Sequence, residues 1–420
     1  MADSNVTSID SRAALRHPEF RFYLIQRFLA VCAHMMLTVA VGQFVYEMTR
    51  SAFHLGFVGL ALFIPKFGFA LFTGHAADRY DRRFVILVCR IIQLLVVLGL
   101  LAFSLSPHRP MPLLYCLLLL MGTANAFEGP AGQSIVPHLI PKEEFANAVT
   151  WISTFFQIGL IAGPALGGFL YAAAGQASIV FLNIAILRLL ATVFTYRMKT
   201  RTGRMDVSAM SWKTLVAGIH YVWRKKVLLG SISLDLFAVL LGGATALMPI
   251  FANEILHVGA NGLGALRAAP GVGAAATSFL LAHLPPLKKA GKKMLACVTL
   301  FGVCTVLFGW SRNFYLSLVV LFFLGSADMI SVVIRHTLVQ LQTPPSMRGR
   351  VSAVNLIFIG ASNELGEFES GLTAGWFGTV PAVLIGGLGT LIVAGLWTWL
   401  FPQVRNFDKL NEEDLSVGEV

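Results

Sequence analysis

Three carboxylates crowd a stretch that is otherwise apolar: the run GASNELGEFESG at 360–371 holds Glu364, Glu367 and Glu369. An ionised group at mid-depth in a bilayer costs ~3 kcal/mol or more, so three on one membrane helix cannot all face hydrocarbon. Glu364 and Glu367 fall i, i+3 on one helix face, which Gly360 and Gly371 extend. Glu369 points about 140° away from Glu364 and serves a different contact. Further charges lie inside apolar stretches at Arg27, Lys66, Arg90, Glu128, Arg188, Asp235, Arg267, Asp328 and Arg335. Carboxylates held out of water near like charge can load and release protons, which coupling to a proton gradient requires. Asp235, Asp328, Glu364, Glu367 and Glu128 are the candidates for that chemistry. Any one of them could equally be held in a structural ion pair; Asp328 stands seven residues, about two turns, before Arg335.

Among the cations, Lys66 follows Pro65, and Arg267 lies about one turn from the matching position of a later stretch. With Arg27 and Arg335 they form the candidate set for attracting an anionic or electron-rich small molecule. The alternative is that Lys66 or Arg267 snorkels to the interface or pairs with Glu47 or Glu128. Enzyme chemistry finds no support, since there is no phosphate loop, nucleophile elbow or metal-ligand spacing. Cys32, Cys89, Cys116, Cys297 and Cys304 all fall in apolar runs and read as packing residues. No cofactor, metal or nucleotide is therefore expected.

Stepwise along the chain, the elements that must position these residues are membrane helices. With 56% hydrophobic residues, 13% charged and a mean hydropathy of +0.73, the chain is a polytopic membrane protein. About twelve spans are expected, near 20–48, 55–76, 84–105, 112–136, 147–172, 179–198, 226–254, 261–284, 294–311, 315–341, 351–376 and 382–401. The net charge of +11 does not point to nucleic acid. Most Lys and Arg fall in loops of one side, with Arg50, Arg109 and Arg312 on the other, so the charge orients the chain with both termini in the cytoplasm. The polar N-terminus carries no cleavable signal, and the first helix itself inserts.

The expected organisation is an N-terminal tail (1–19), a six-helix bundle (20–198), a linker (199–225), a second bundle (226–401) and a C-terminal tail (402–420). Within the linker, Trp212, Leu215, Val216, Ile219, Val222 and Trp223 recur at helical spacing after a Ser211 cap. That pattern predicts an amphipathic helix lying on the membrane surface, with His220 an interfacial polar residue and not a metal ligand. The halves repeat: a shift of 205 sets Gly59, Pro65 and Gly68 on Gly264, Pro270 and Gly273, and a shift of 203 sets Val136 and Pro141 on Val339 and Pro344.

Between the second and third spans the run GHAADRYDRR (74–83) packs charge into a tight turn. Its Gly74, Asp78, Arg79, Arg82 and Arg83 resemble the loop 2–3 signature of the major facilitator superfamily, a latch between helix bundles; Asp81 stands where that family usually has glycine. In the second half Lys288 takes the slot of Asp78. GLIAGPALGG (159–168) resembles the Gly-Pro signature of the superfamily's proton-driven exporters through Gly159, Gly163, Pro164, Gly167 and Gly168. Such a helix bends, packs closely and can seal one side of a central cavity. Residues 262–274, 328–344, 348–354 and 361–371 resemble the enterobactin-exporter-like branch, related to macrolide-efflux carriers.

The resemblance implies an all-α fold of about twelve transmembrane helices in two six-helix repeats, with substrate held near the midplane between them. It implies a bacterial inner-membrane efflux carrier, monomeric, that exchanges protons for a siderophore or another small amphipathic organic molecule, a drug among them. A lipid or nutrient carrier of the same fold is the alternative, and a non-transporting membrane scaffold or sensor is the alternative from another class.

Overall fold

The computed structural model describes residues 12–200, 212–284, 289–344 and 347–407, with only the backbone described at some helical positions, Gly74 and Asp78 among them. The expected Ser211 cap and the comparison of Lys288 with Asp78 lie outside the described residues. Helices dominate because a backbone crossing lipid must satisfy its polar groups internally. In the first half these are α1 (Pro18–Thr49), α2 (Ala52–Gly68), α3 (Ala70–Arg79), α4 (Arg82–Leu105), α5 (Met111–Ile135), α6 (Phe145–Ala174) and α7 (Ala177–Arg197). After α8 (Trp212–Arg224) come α9 (Lys226–Leu241), α10 (Met248–Ile250), α11 (Gly259–His283), α12 (Ala290–Trp310), α13 (Phe314–Leu341), α14 (Arg348–Phe377), α15 (Thr379–Leu400) and α16 (Pro402–Arg405). Among the described residues, ten of these stretches are long and apolar enough to cross a membrane; with α2–α3 and the acidic α14 they make the about twelve helices, in two six-helix repeats, that were expected.

Two spans differ from the continuous helices expected. The second is divided at Phe69, whose backbone leaves helical geometry (φ −98°, ψ 4°) although its N–H still bonds to the Pro65 carbonyl at 2.9 Å. The seventh unwinds at the adjacent glycines Gly242 and Gly243 and continues through a 3-10 turn (Ala244–Leu247), α10 and a π turn (Phe251–Ile255). Non-helical backbone at membrane depth is tolerated where protein buries it or water reaches it. Here α14 passes so close that a Cβ at Gly243 would stand 2.9 Å from the Gly366 carbonyl.

The two halves meet along two helix pairs, α2 with α14 and α6 with α11. A Cβ at Gly56 would come within 3.0 Å of Gly371 Cα, and one at Gly168 within 2.5 Å of Gly264 Cα. Small residues let backbones approach this closely where lipid gives no hydrophobic drive to association. All four glycines lie toward the face opposite residues 12 and 407, hereafter the far face. Among the described residues, the hydrogen bonds that join the two halves, Gln43 with Asn253, Tyr46 with Glu254 and Lys66 with Glu364, also run from mid-depth to the far face.

The linker stretch expected to be amphipathic holds the helix α8, with the side chains of Trp212 and Leu215 outside the described residues. Val216, Ile219 and Trp223 of α8 are exposed, while Val222 packs on Leu228, Val351 and Val354, and the Tyr221 hydroxyl donates to the Gln342 carbonyl at 2.9 Å. The exposed apolar stripe suits a membrane surface. His220 is exposed, and among the described residues no group of His, Cys, Asp and Glu could hold a metal. The cysteines are free; Cys32, Cys89 and Cys304 are buried, while Cys116 is exposed.

Candidate functional site

A cavity lies between the halves, walled by His34, Thr38 and Gly42 of α1, Leu55, Val58 and Leu62 of α2, and Leu118 and Met121 of α5. From the second half come Ala246, Arg267 and Glu367. The wall is mostly apolar with a few polar groups, the usual composition of a small-molecule site. The unwound seventh span supplies Thr245 beside it: the Thr245 carbonyl accepts from Arg267 Nη2 at 3.3 Å, and its hydroxyl donates to Glu367 Oε1 at 3.5 Å.

The acidic helix α14 uses its carboxylates as its spacing predicts. Glu364 reaches across the half boundary to an ion pair with Lys66 of α2. Its other oxygen, Oε2, is buried and has no hydrogen-bond partner among the described residues. Glu367, one turn farther toward the far face, shares the cavity wall with Arg267. Glu369 faces elsewhere and accepts from the Thr373 hydroxyl at 2.8 Å. The alternative partners named for Lys66 and Arg267 are otherwise engaged: Glu47 accepts from Gln43 and from Tyr171 Oη, and Glu128 from Arg90 and Gln93.

Two more charged clusters lie inside the halves. In the second, Asp235 of α9 pairs with Arg335 of α13. Arg335 is therefore not bound to Asp328, its neighbour two turns away on the same helix; Asp328 and Asp235 instead line one small cavity with Ser331 and Cys297. Because Arg335 is 2% exposed, it presents no free charge to the central cavity. In the first half, Glu128 Oε1 lies 2.7 Å from Arg90 Nη2. Arg90 Nη2 also donates to Gln26 at 2.9 Å, and Gln93 accepts from Arg90 at 3.2 Å and Arg188 at 2.6 Å while donating to Asn125 at 2.9 Å and Glu128 at 2.6 Å. Arg27 donates to Tyr23 Oη at 3.4 Å.

The far face is closed by groups that sequence reasoning missed. Gln43 of α1 and Asn253 exchange amide hydrogen bonds at 3.2 and 2.9 Å, and Tyr46 donates to Glu254. Arg50 then donates to Tyr46 Oη at 3.0 Å. Neutral amides one helix away from each other carry no charge signature, so only their polarity inside an apolar run could have drawn notice.

The Gly-Pro helix packs on both sides. Gly159, Gly163 and Gly167 of α6 abut Val31, Cys32, Met35 and Met36 of α1, while Pro164 O and Gly168 abut Gly264 of α11. In the charged turn, Asp81 caps α4 through the Arg83 N–H at 2.9 Å. Arg83 donates to the Thr195 and Tyr196 carbonyls at the end of α7, and Arg82 Nη1 lies 3.4 Å from His138 Nε2. These arginine contacts stay within the first half; Arg79 is exposed, and the side chains of Gly74 and Asp78 lie outside the described residues.

A profile of the family described as transmembrane secretion effector matches residues 9–417. The enterobactin exporter EntS of Citrobacter koseri is 26% identical over 406 residues, covering 93% of this chain and 94% of that protein. The enterobactin exporter EntS of Escherichia coli (strain HS) is 26% identical over 407 residues with the same coverage of both chains. Among solved structures, a mutant of the nucleoside transporter NupG superposes with a TM-score of 0.74 at 14% identity, over 91% of this chain and 100% of that one. A bacterial homologue of the human lysosomal transporter Spinster, inward-facing and unoccupied, superposes with a TM-score of 0.71 at 15% identity, over 95% of this chain and 99% of that one.

Proposed function

The chain belongs to the transmembrane secretion effector family, within the major facilitator superfamily, and from that premise we propose that it exports a small amphipathic organic molecule in exchange for protons. A siderophore is the first substrate class to test, because the curated relatives at 26% identity are enterobactin exporters. The setting is the bacterial inner membrane, with a monomer whose termini are cytoplasmic. Arg79, Arg83, Lys225, Lys292 and Lys293 cluster on the face that holds the linker, which supports that orientation. The far face is then the outside, and the present conformation is closed to it. The bundles divide at the linker, 199–225, and rock about the central cavity.

The observation that carries the reading is Glu364, a carboxylate that bridges the halves through Lys66 while its other oxygen is buried with no partner among the described residues. An ion pair with Lys66 requires Glu364 to be ionised, and it forms only when α2 and α14 are together, that is, with the far face closed. Closing the outer side therefore drives the proton off Glu364 toward the cytoplasm. When substrate binding favours the opposite state, the halves part, Lys66 withdraws, and Glu364 takes a proton from outside. Substrate leaves in that state, so one cycle carries protons in and substrate out. Glu367, next to Arg267, is the second candidate for the same role; Asp235, Asp328 and Glu128 sit deeper within one half and serve as relays or fixed pairs.

Respiring inside-out vesicles, screened with siderophores and amphipathic drugs, test this directly. The expected result is accumulation that an uncoupler abolishes; accumulation that an uncoupler leaves untouched overturns proton coupling.

A further inference from the structure

Charge is divided unevenly between the halves. In the first, Arg27, Arg90 and Arg188 stand around a single carboxylate, Glu128, while Lys66 is taken up by Glu364. Among the described residues, the second half has the opposite surplus, with more acids than cations facing its interior. The guanidiniums of the first half are also under-bonded: Nε and Nη2 of Arg188, Nε of Arg90 and Nε of Arg27 are buried without a hydrogen-bond partner among the described residues. Arg188 is 1% exposed, so a group that balances it must arrive from within the protein and not from bulk solvent. A buried surplus of like charge is expensive unless something balances it. Between this cluster and the central cavity stands His34, which lines the cavity, carries a buried and unpartnered Nδ1, and lies within electrostatic reach of Arg188 and Arg90.

We propose that Arg188, with Arg90 and Arg27, forms an anion subsite reached past His34, and that the exported molecule is an amphipath with an acidic head group such as a carboxylate or phenolate. Guanidinium forks suit such groups because they donate in parallel to two oxygens. The first half then holds the substrate's charge and the second half handles protons. Lys66, Arg267 and Arg335 do not serve as this subsite: Lys66 and Arg335 are paired, and Arg267 already faces Glu367. This inference rests on the carrier reading above and names its substrate class.

The test is equilibrium binding to the purified full-length protein of two dyes sharing a xanthene scaffold, anionic fluorescein and cationic pyronin Y, alongside their uptake by energised inside-out vesicles. Fluorescein is expected to bind at least ~10-fold more tightly, and Arg188→Gln to weaken it by ~10-fold or more while Arg188→Lys weakens it less. His34→Gln, at the cavity wall, supplies a second variant if Arg188→Gln fails to fold; it is expected to weaken fluorescein and spare pyronin Y. Pyronin Y binding as tightly as fluorescein, or a folded Arg188→Gln protein that binds fluorescein normally, overturns the subsite. Uncoupler-sensitive uptake of pyronin Y without fluorescein binding overturns it while the exporter reading stands. Charge-selective fluorescein binding with uptake indifferent to the uncoupler supports the subsite and removes proton coupling instead.

Discussion

Replacing Gly168 by alanine should open the far face. A methyl there would stand 2.5 Å from Gly264 Cα and 2.6 Å from the Ala260 carbonyl oxygen. Both are backbone atoms of α11, so no rotamer change relieves the clash; α6 and α11 must part. Overpacking of this kind costs about 1–3 kcal/mol. The cost falls on the far-face-closed state alone, so it becomes a shift of about 5–150-fold in the equilibrium between closed and open. Spin labels at Ser51→Cys and Thr379→Cys, at far-face helix starts in opposite halves, report that equilibrium once the five native cysteines are changed to serine. Gly168→Ala should raise a long-distance population that is minor in the parent. Gly68→Ala is the control, because a Cβ there meets nothing within 4 Å. A folded, monodisperse Gly168→Ala protein with an unchanged distance distribution would refute the assignment of α6 and α11 as the outer seal.

Three more outcomes are expected. Tyr46→Phe removes the donor to Glu254 and should weaken the closed far face by ~1.5–3 kcal/mol, visible as a growing long-distance population with the same label pair. Asp235→Leu leaves Arg335 buried without its partner, at a cost of ~3–5 kcal/mol; yield and thermal stability should fall, and Asp235→Leu with Arg335→Met should recover most of the loss. Asp78→Asn should slow initial transport rates while expression and insertion stay near normal, because a charge in the last turn of α3 biases the conformational equilibrium more than it holds the fold; an unchanged rate would leave Asp78 as a topological charge.

Hydropathy and loop punctuation sufficed for the helices, since a backbone in lipid has few options and each span announces its length. They could not show that the second span breaks after Pro65 or that the seventh unwinds at Gly242 and Gly243, because the helix-breaking cost is offset by neighbours that sequence does not locate. On α14 the helical period separated Glu364 and Glu367 from Glu369, and the structure uses them on different contacts. Pairing between helices was beyond such reasoning: Arg335 has Asp328 two turns away on its own helix but binds Asp235, some hundred positions distant along the chain and adjacent in space. The same limit hid the surplus of cations around Glu128, since Arg90 and Arg188 are nearly a hundred residues apart and only their packing reveals that Arg90 pairs with that carboxylate while Arg188 is joined to it through Gln93.

Glu364→Gln separates coupling from architecture most directly. Glutamine keeps the size and hydrogen bonding of the side chain but fixes its neutral state. Lys66, left without its acid, is one-third exposed, so the variant should fold. Reconstituted vesicles then allow two readings on one preparation: accumulation of substrate driven by a proton gradient, and exchange of substrate down its own gradient. The account predicts that accumulation is lost while exchange persists at near the parent rate. Accumulation at the parent level in both Glu364→Gln and Glu367→Gln would contradict it.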